Sequence, residues 1–368
     1  MRAAIVRTLA FSLVALVALA ARDARAQVVR GDVADGATQA PLFGTLVVVV
    51  DTNGARVGGA ITNDSGRFAI RLPHAGHYRL RAERIGYISG AYVPIDVGEG
   101  ETVVQHLSAA TAVAVLPTDT IVAGNRCVVR PTEGVKTAAL WEEARKVLYA
   151  SEITGQEQMV WSIRKRWFRS LDGASLAVRR DSTVVDSTIF DRPFRTEVTP
   201  DDLAKYGYGI KNDRGDSALT GPDADVLLSD AFARTHCFNV RLDSDKHAGM
   251  VGLAFEPARK VHFPEVTGVL WLDSATSQLR FVEFRHTNMY PQVSPLKYGG
   301  RMDFAELPGG LWIVKRWYIR LPVLASGPMG AGGAEFQFMA GPHVARFHEE
   351  GGEVLQAHVQ AKPPPPTR

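Results

Sequence analysis

The sequence predicts a mainly β protein in two parts, a β-sandwich followed by a curved antiparallel β domain with a few helices. Three observations predict it. From Val28 to about Val115, short apolar or alternating runs are separated by polar turn residues, with no sustained helical period. One stretch, Val135 to Ser151, carries an apolar stripe at helical spacing. The stretches that follow are longer, alternate in polarity, and are rich in β-branched and aromatic residues.

The chain opens with an export signal. Arg2 and Arg7 form a positive start, Leu9 to Ala21 is apolar apart from Ser12, and Ala24-Arg25-Ala26 is an A-x-A cleavage site. Residues 1–26 therefore read as a signal peptide, with the mature chain starting at Gln27. The apolar run is shorter than the roughly 20 residues that span a bilayer, and Arg22 and Asp23 follow it directly. The first cysteine is Cys127, so no cysteine stands where a lipid anchor would be attached. The expected location is the periplasm, or a peripheral association with the outer membrane. The 42 basic and 39 acidic residues leave a formal charge of only +3. Because the basic residues are spread along the chain, nucleic acid is not an expected partner. A length of 368 residues suits two domains.

In residues 27–115, Leu46 to Val50 (LVVVV) is a continuous apolar strand, ended by Asp51-Thr52-Asn53-Gly54. Arg67 to Leu72 and Tyr78 to Ala82 alternate about the turn Pro73 to Gly76. Several short strands of this spacing imply a sandwich. Five ordered submotifs carry a resemblance: Gly31-Asp32-Val33, Pro41-Leu42, Thr62-Asn63-Asp64-Ser65-Gly66-Arg67-Phe68, Gly76-His77-Tyr78-Arg79-Leu80, and Arg84-Ile85-Gly86-Tyr87. Together they resemble the carboxypeptidase regulatory-like domain. The resemblance implies a seven-stranded, transthyretin-like or starch-binding-like sandwich. It implies no peptidase activity, since these motifs are structural: Asp64-Ser65-Gly66 is a hairpin turn and Phe68 the first inward residue after it.

Residues 116–134 read as a connector, with Pro117, Gly124, Pro131 and Gly134 in it. It is long enough for the two halves to fold independently. Cys127 lies within it, and Cys237 is the second of two cysteines. In an oxidising compartment they read as one disulfide, with free thiols as the alternative. His236 precedes Cys237, but no further ligands accompany them as a metal site would need.

Residues 135–360 form the second domain, beginning with the helix 135–151. Thr199-Pro200-Asp201-Asp202 starts a short helix through Tyr206, and Asp223 to His236 reads as a third. Strands are predicted over 159–169, 176–180, 249–255, 269–273, 279–288, 299–305, 311–322 and 346–359. The order of strand, Asp turn, strand, Gly299-Gly300, strand and Trp312 resembles lipoprotein-carrier-like half-barrels, which implies a shape and no site. Residues 361–368 are a Pro-rich tail, and Gly327 to Gly333 is rich in glycine.

The search for chemistry yields no catalytic residue, metal site or cofactor. His262-Phe263-Pro264-Glu265 has the H-x-x-E spacing of a zinc peptidase but stands in a proline-containing loop, without the large domain such enzymes need. Gly215-Asp216-Ser217 follows a polar loop instead of a buried strand, and there is no G-x-S-x-G or phosphate-binding glycine motif. Binding remains. Trp271, Trp312 and Trp317 are the candidate ligand-binding residues of a concave aromatic face, with core burial as the alternative. The expected function is a non-enzymatic envelope binding or scaffold protein whose partner is an envelope protein, a glycan or a lipid. Two other readings stand beside it: carbohydrate binding through the sandwich, and carriage of an apolar ligand on the curved sheet. The sandwich has no tryptophan, which counts against the first of these.

Overall fold

The computed structural model describes residues 27–116, 128–129, 135–157, 159–189, 196, 198–211, 217–242, 245–289, 298–325 and 343–360. The predicted signal peptide, nearly all of the predicted connector, Cys127, Gly327 to Gly333 and the Pro-rich tail lie outside the described residues.

The first part is a seven-stranded sandwich. Strands β1 (Gln27–Asp35), β4 (Arg67–Leu72) and β7 (Thr102–Ala109) form one sheet in the order β4-β1-β7. Strands β2 (Leu46–Val50), β3 (Arg56–Ile61), β5 (Gly76–Glu83) and β6 (Val93–Val97) form the other, in the order β3-β2-β5-β6. Strand β4 alternates strictly, so Phe68, Ile70 and Leu72 enter the core while Arg67, Ala69 and Arg71 stay outside. The turn before it is built from side-chain chemistry. Asn63 Oδ1 accepts the Ser65 and Arg67 amides at 3.0 Å, and Gly66 holds φ +71° where a Cβ would meet Val33 O at 2.7 Å.

Strand β2 is buried at every position. Val47 and Val49 face the sandwich interior, whereas Leu46, Val48 and Val50 belong to a second core outside it. That second core is organised by helix α1 (Val135–Glu157), through Leu140, Trp141, Ala144, Val147 and Leu148. The continuous apolar run has a simple cause: its sheet is covered on both faces.

On its other side α1 packs against a ten-stranded antiparallel sheet. Its strands are β8 (Val128–Val129), β9 (Met159–Asp172), β10 (Val178–Ile189), β13 (His236–Arg241), β14 (Met250–Pro257), β15 (Glu265–Asp273), β16 (Leu279–Thr287), β17 (Gly299–Leu307), β18 (Leu311–Ala325) and β19 (His343–Gln360). The order is β10-β9-β19-β18-β17-β16-β15-β14-β13-β8. Neighbours in sequence pair as hairpins from β13 to β19, but β19 also pairs with β9, from Arg346↔Asp172 to Gln360↔Met159. A two-stranded ribbon, β11 (Gly209–Lys211) and β12 (Ser217–Leu219), stands apart.

Three short helices complete the described part. In α2 (Pro200–Tyr206), Thr199 Oγ1 caps the first turn by accepting the Asp202 amide at 3.2 Å. The predicted helix 223–236 is two, α3 (Ala224–Leu228) and α4 (Asp230–Thr235). Ser229 between them is extended, and its Oγ accepts the Phe232 amide at 3.1 Å, so it caps the second helix instead of continuing the first. Strand β10 runs nine residues past the predicted Arg180, to Ile189. Its described side chains are exposed on both faces apart from partly buried Asp186, so it has no apolar period to read.

The two parts are one packed unit. Gly44 and Gly310 meet backbone to backbone; a Cβ on Gly44 would lie 2.8 Å from Gly310 Cα, and both have positive φ. Ser277 Oγ, in the β15–β16 turn, donates to Ala114 O at 3.2 Å. A buried ionic cluster also joins the two parts. Glu83, whose side chain is fully buried, accepts from Arg81 at 2.5 Å and from Arg145 of α1 at 2.7 Å. Lys146 is buried too, and its Nζ donates to Arg84 O (3.0 Å), Tyr87 O (2.6 Å) and Glu143 Oε1 (2.6 Å). Glu143 Oε2 accepts the Gly86 amide at 2.8 Å. The Arg84-Ile85-Gly86-Tyr87 motif is thus gripped by one helix turn. Helix α1 supplies the outer wall of the sandwich, and the two halves share a core.

Candidate functional site

The face of the ten-stranded sheet away from α1 carries the site. Leu270 and Leu272 face the helix, so Val269 and Trp271, which alternate with them, face the other way. Register then aligns Asn239, Ala254, Val269, Glu283, Arg301 and Tyr318 in one row across β13 to β18. A cleft of about 590 Å³ opens over this part of the face, within the size range of small-ligand pockets. Its lining is mixed, with Arg241, His247, Trp271, Arg285, Tyr298 and Tyr318 among it.

Most of the charge near the cleft is neutralised in place. Trp271 Nε1 donates to Glu283 Oε1 at 3.0 Å, and the His247 ring covers the indole at 4.2 Å between centroids. Arg301 stacks on Phe281 at 3.6 Å and donates to Asp303 at 2.6 and 2.9 Å. Arg320 donates twice to Glu349, which also accepts from Trp167 Nε1 at 3.3 Å. Arg169 continues this ladder to Asp181 at 3.0 Å. Arg241 and Arg285 differ. Both are exposed and make no hydrogen bond or ion pair among the described residues.

Of the three tryptophans singled out from the sequence, the structure brings only Trp271 to the cleft. Trp312 and Trp317 point to the opposite face and are buried against α1, with the Trp317 ring lying over Gly352. Cys237 is buried on β13, and Cys127 lies outside the described residues. The arginines and tyrosines of the cleft were missed by sequence reasoning. The available signal was strand alternation, which sends Glu283 and Arg285 outward while Val282 and Phe284 go inward.

A second polar cluster lies beneath α2, on the helix side of the sheet. Glu265 is buried and sits 3.5 Å from buried His236, not beside His262, which is exposed. Tyr208 is buried with them, its hydroxyl pushed well above its ordinary pKa by burial and then by Glu265 and Asp223. Nearby, His286 is buried with Nε2 2.7 Å from Thr220 O. Burial pushes its pKa down to about 4, against the pull of that carbonyl. In the unfolded chain it titrates near 6.5, so its contribution to stability is complete above pH 6.5 and is lost as pH falls to about 4. Urea midpoints measured at pH 7 and pH 4.5 should therefore drop on acidification. A His286→Phe variant should show a flatter profile over that window, and an unchanged profile would assign the loss elsewhere.

The sandwich supplies the remaining observation. Its submotifs occupy the Asn63–Gly66 turn, the start of β5 and the loop gripped by α1. Residues 28–109 match the family model of the carboxypeptidase regulatory-like domain. No curated protein matches the chain. Among solved structures, the backbone protein of group B streptococcus pilus 2b is similar at 16% identity and a TM-score of 0.22, over 24% of this chain and 42% of that one. The 5-hydroxyisourate hydrolase of Klebsiella pneumoniae is similar at 26% identity and a TM-score of 0.18, over 23% of this chain and 89% of that one. A DUF3823 family protein from Bacteroides ovatus is similar at 8% identity and a TM-score of 0.19, over 63% of this chain and 91% of that one. In the regulatory-like domain of this chain, Phe68 and Tyr78 are core residues, and Tyr92 lies under the guanidinium of Arg81 at 4.4 Å.

Proposed function

We propose that this chain is a non-enzymatic binding protein of the cell envelope. The regulatory-like domain is a fixed platform, and the cleft on the helix-free face of the sheet is the ligand seat. The observation that carries this reading is the cleft itself: a ligand-sized hollow floored by rigid, hydrogen-bonded strands and lined by aromatic rings and guanidinium groups. Such a lining favours a polar ligand over the apolar cargo of a lipid carrier. Envelope location rests on the positive start, apolar run and A-x-A site of residues 1–26.

The test is to fill the cleft. Ala254 and Asn239 are half-buried residues of its central row. Protein recovered from the envelope under native conditions should carry a small molecule visible by native mass spectrometry. Ala254→Trp and, separately, Asn239→Trp should abolish that load with little change in melting temperature. An equal load on both variants, or none on the wild type, sinks the proposal.

A further inference from the structure

Resting on the cleft reading above, we infer that its ligand is an elongated anion with acidic groups towards both ends, the chemistry of a short acidic oligosaccharide. Arg241 would take one end and Arg285 the other. The inference comes from which charges in the cleft are answered. Arg301 and Arg320 are matched to Asp303 and Glu349, and Glu283 is engaged by Trp271. Arg241 and Arg285 are the guanidiniums lining the cleft that have no hydrogen bond or ion pair among the described residues.

Their positions set the length of the ligand. Arg241 on β13 stands in the row of Gly252 and Trp271, whereas Arg285 on β16 stands opposite Thr267. They are three strand steps apart sideways and four residues apart along the strands, which at ~4.8 Å per step and ~3.3 Å per residue places their backbones roughly 20 Å apart. Two long side chains at that separation bracket a molecule a few rings long, not a single small ion. The same cleft offers surfaces for ring faces and hydroxyls: Tyr318, His247, Tyr298 and the amide of Asn239. Guanidinium groups pair with carboxylate or phosphate oxygens through two parallel hydrogen bonds, so acidic rings satisfy both ends of the cleft at once.

The experiment is titration calorimetry at low salt on the full-length mature protein. The probes are trigalacturonate, neutral maltotriose and inorganic phosphate. The proteins are wild type, Arg241→Gln, Arg285→Gln, the double variant and the two cleft-filling variants. Trigalacturonate should bind, each single arginine variant should weaken it about tenfold or more, and the double variant should abolish it. Affinity should also fall as salt is raised. Both arginines are exposed, so melting temperatures should hold. Phosphate binding as tight as trigalacturonate would reduce the site to a free-anion site and overturn the oligosaccharide inference. Absence of trigalacturonate binding, or equal maltotriose binding that the arginine variants leave untouched, overturns the charge inference; if a neutral probe is still excluded by Ala254→Trp, the cleft reading survives. Binding of any probe unaffected by both cleft-filling variants overturns the cleft reading itself.

Discussion

Replacing Lys146 by methionine is expected to lower the unfolding free energy by about 3–5 kcal/mol, the cost of stranding one member of a buried ion pair. The lysine is fully buried and answers two carbonyls of the Arg84–Tyr87 loop as well as Glu143. Without it, Glu143 keeps only the Gly86 amide. Burial already pushes this carboxyl above the usual range, outweighing the lysine beside it, so the pair is expensive to bury even when intact. A double variant, Lys146→Met with Glu143→Leu, should therefore recover most of the loss. Urea unfolding of the three proteins measures both effects. A single variant within about 1 kcal/mol of wild type would show that the pair does not hold the loop to the helix.

A fragment spanning Gln27 to Val115 is expected to lack a cooperative unfolding transition and to bind a hydrophobic dye, while the full chain does neither. Leu46, Val48, Val50 and Ile61 are buried only by what lies outside the sandwich. Each such side chain contributes roughly 1.5–3 kcal/mol when buried, so the loss rivals the entire stability of a domain this size. The fragment also leaves Glu83 without Arg145. Sharp unfolding of the fragment with no dye binding would mean that the sandwich closes its outer face in another way.

The parts of the fold legible in the sequence are those whose signal is local. Strand β4 alternates residue by residue, α2 has its Thr199 cap and proline, and the ordered submotifs of the sandwich stand in the turns they specify. What escaped depends on partners distant in sequence. Glu143 and Lys146 look like the wet face of an amphipathic helix, and only the loop from the other domain makes them interior. Strand β10 has no buried face and is held by its register with β9. The tryptophans could not be sorted because bulges at Trp271/Leu272 and Asp303/Phe304 change which residues share a face. For the same reason Arg241 and Arg285, on strands not adjacent to each other, could not be placed in one cleft from sequence.

The placement of β19 between β9 and β18 fixes an order of events in synthesis. The strands from β13 to β18 can pair one hairpin at a time as the chain lengthens. The β9–β10 hairpin, although made earlier, has no seat in the sheet until residues 343–360 exist, because among the described strands its only other neighbour is β19. The sheet therefore cannot close around a nascent chain, and its slowest contact joins residues nearly two hundred positions apart. A polypeptide with this topology carries an unseated hairpin and an open edge on β18 until residues 343–360 have emerged, and both are surfaces that a stray strand can occupy.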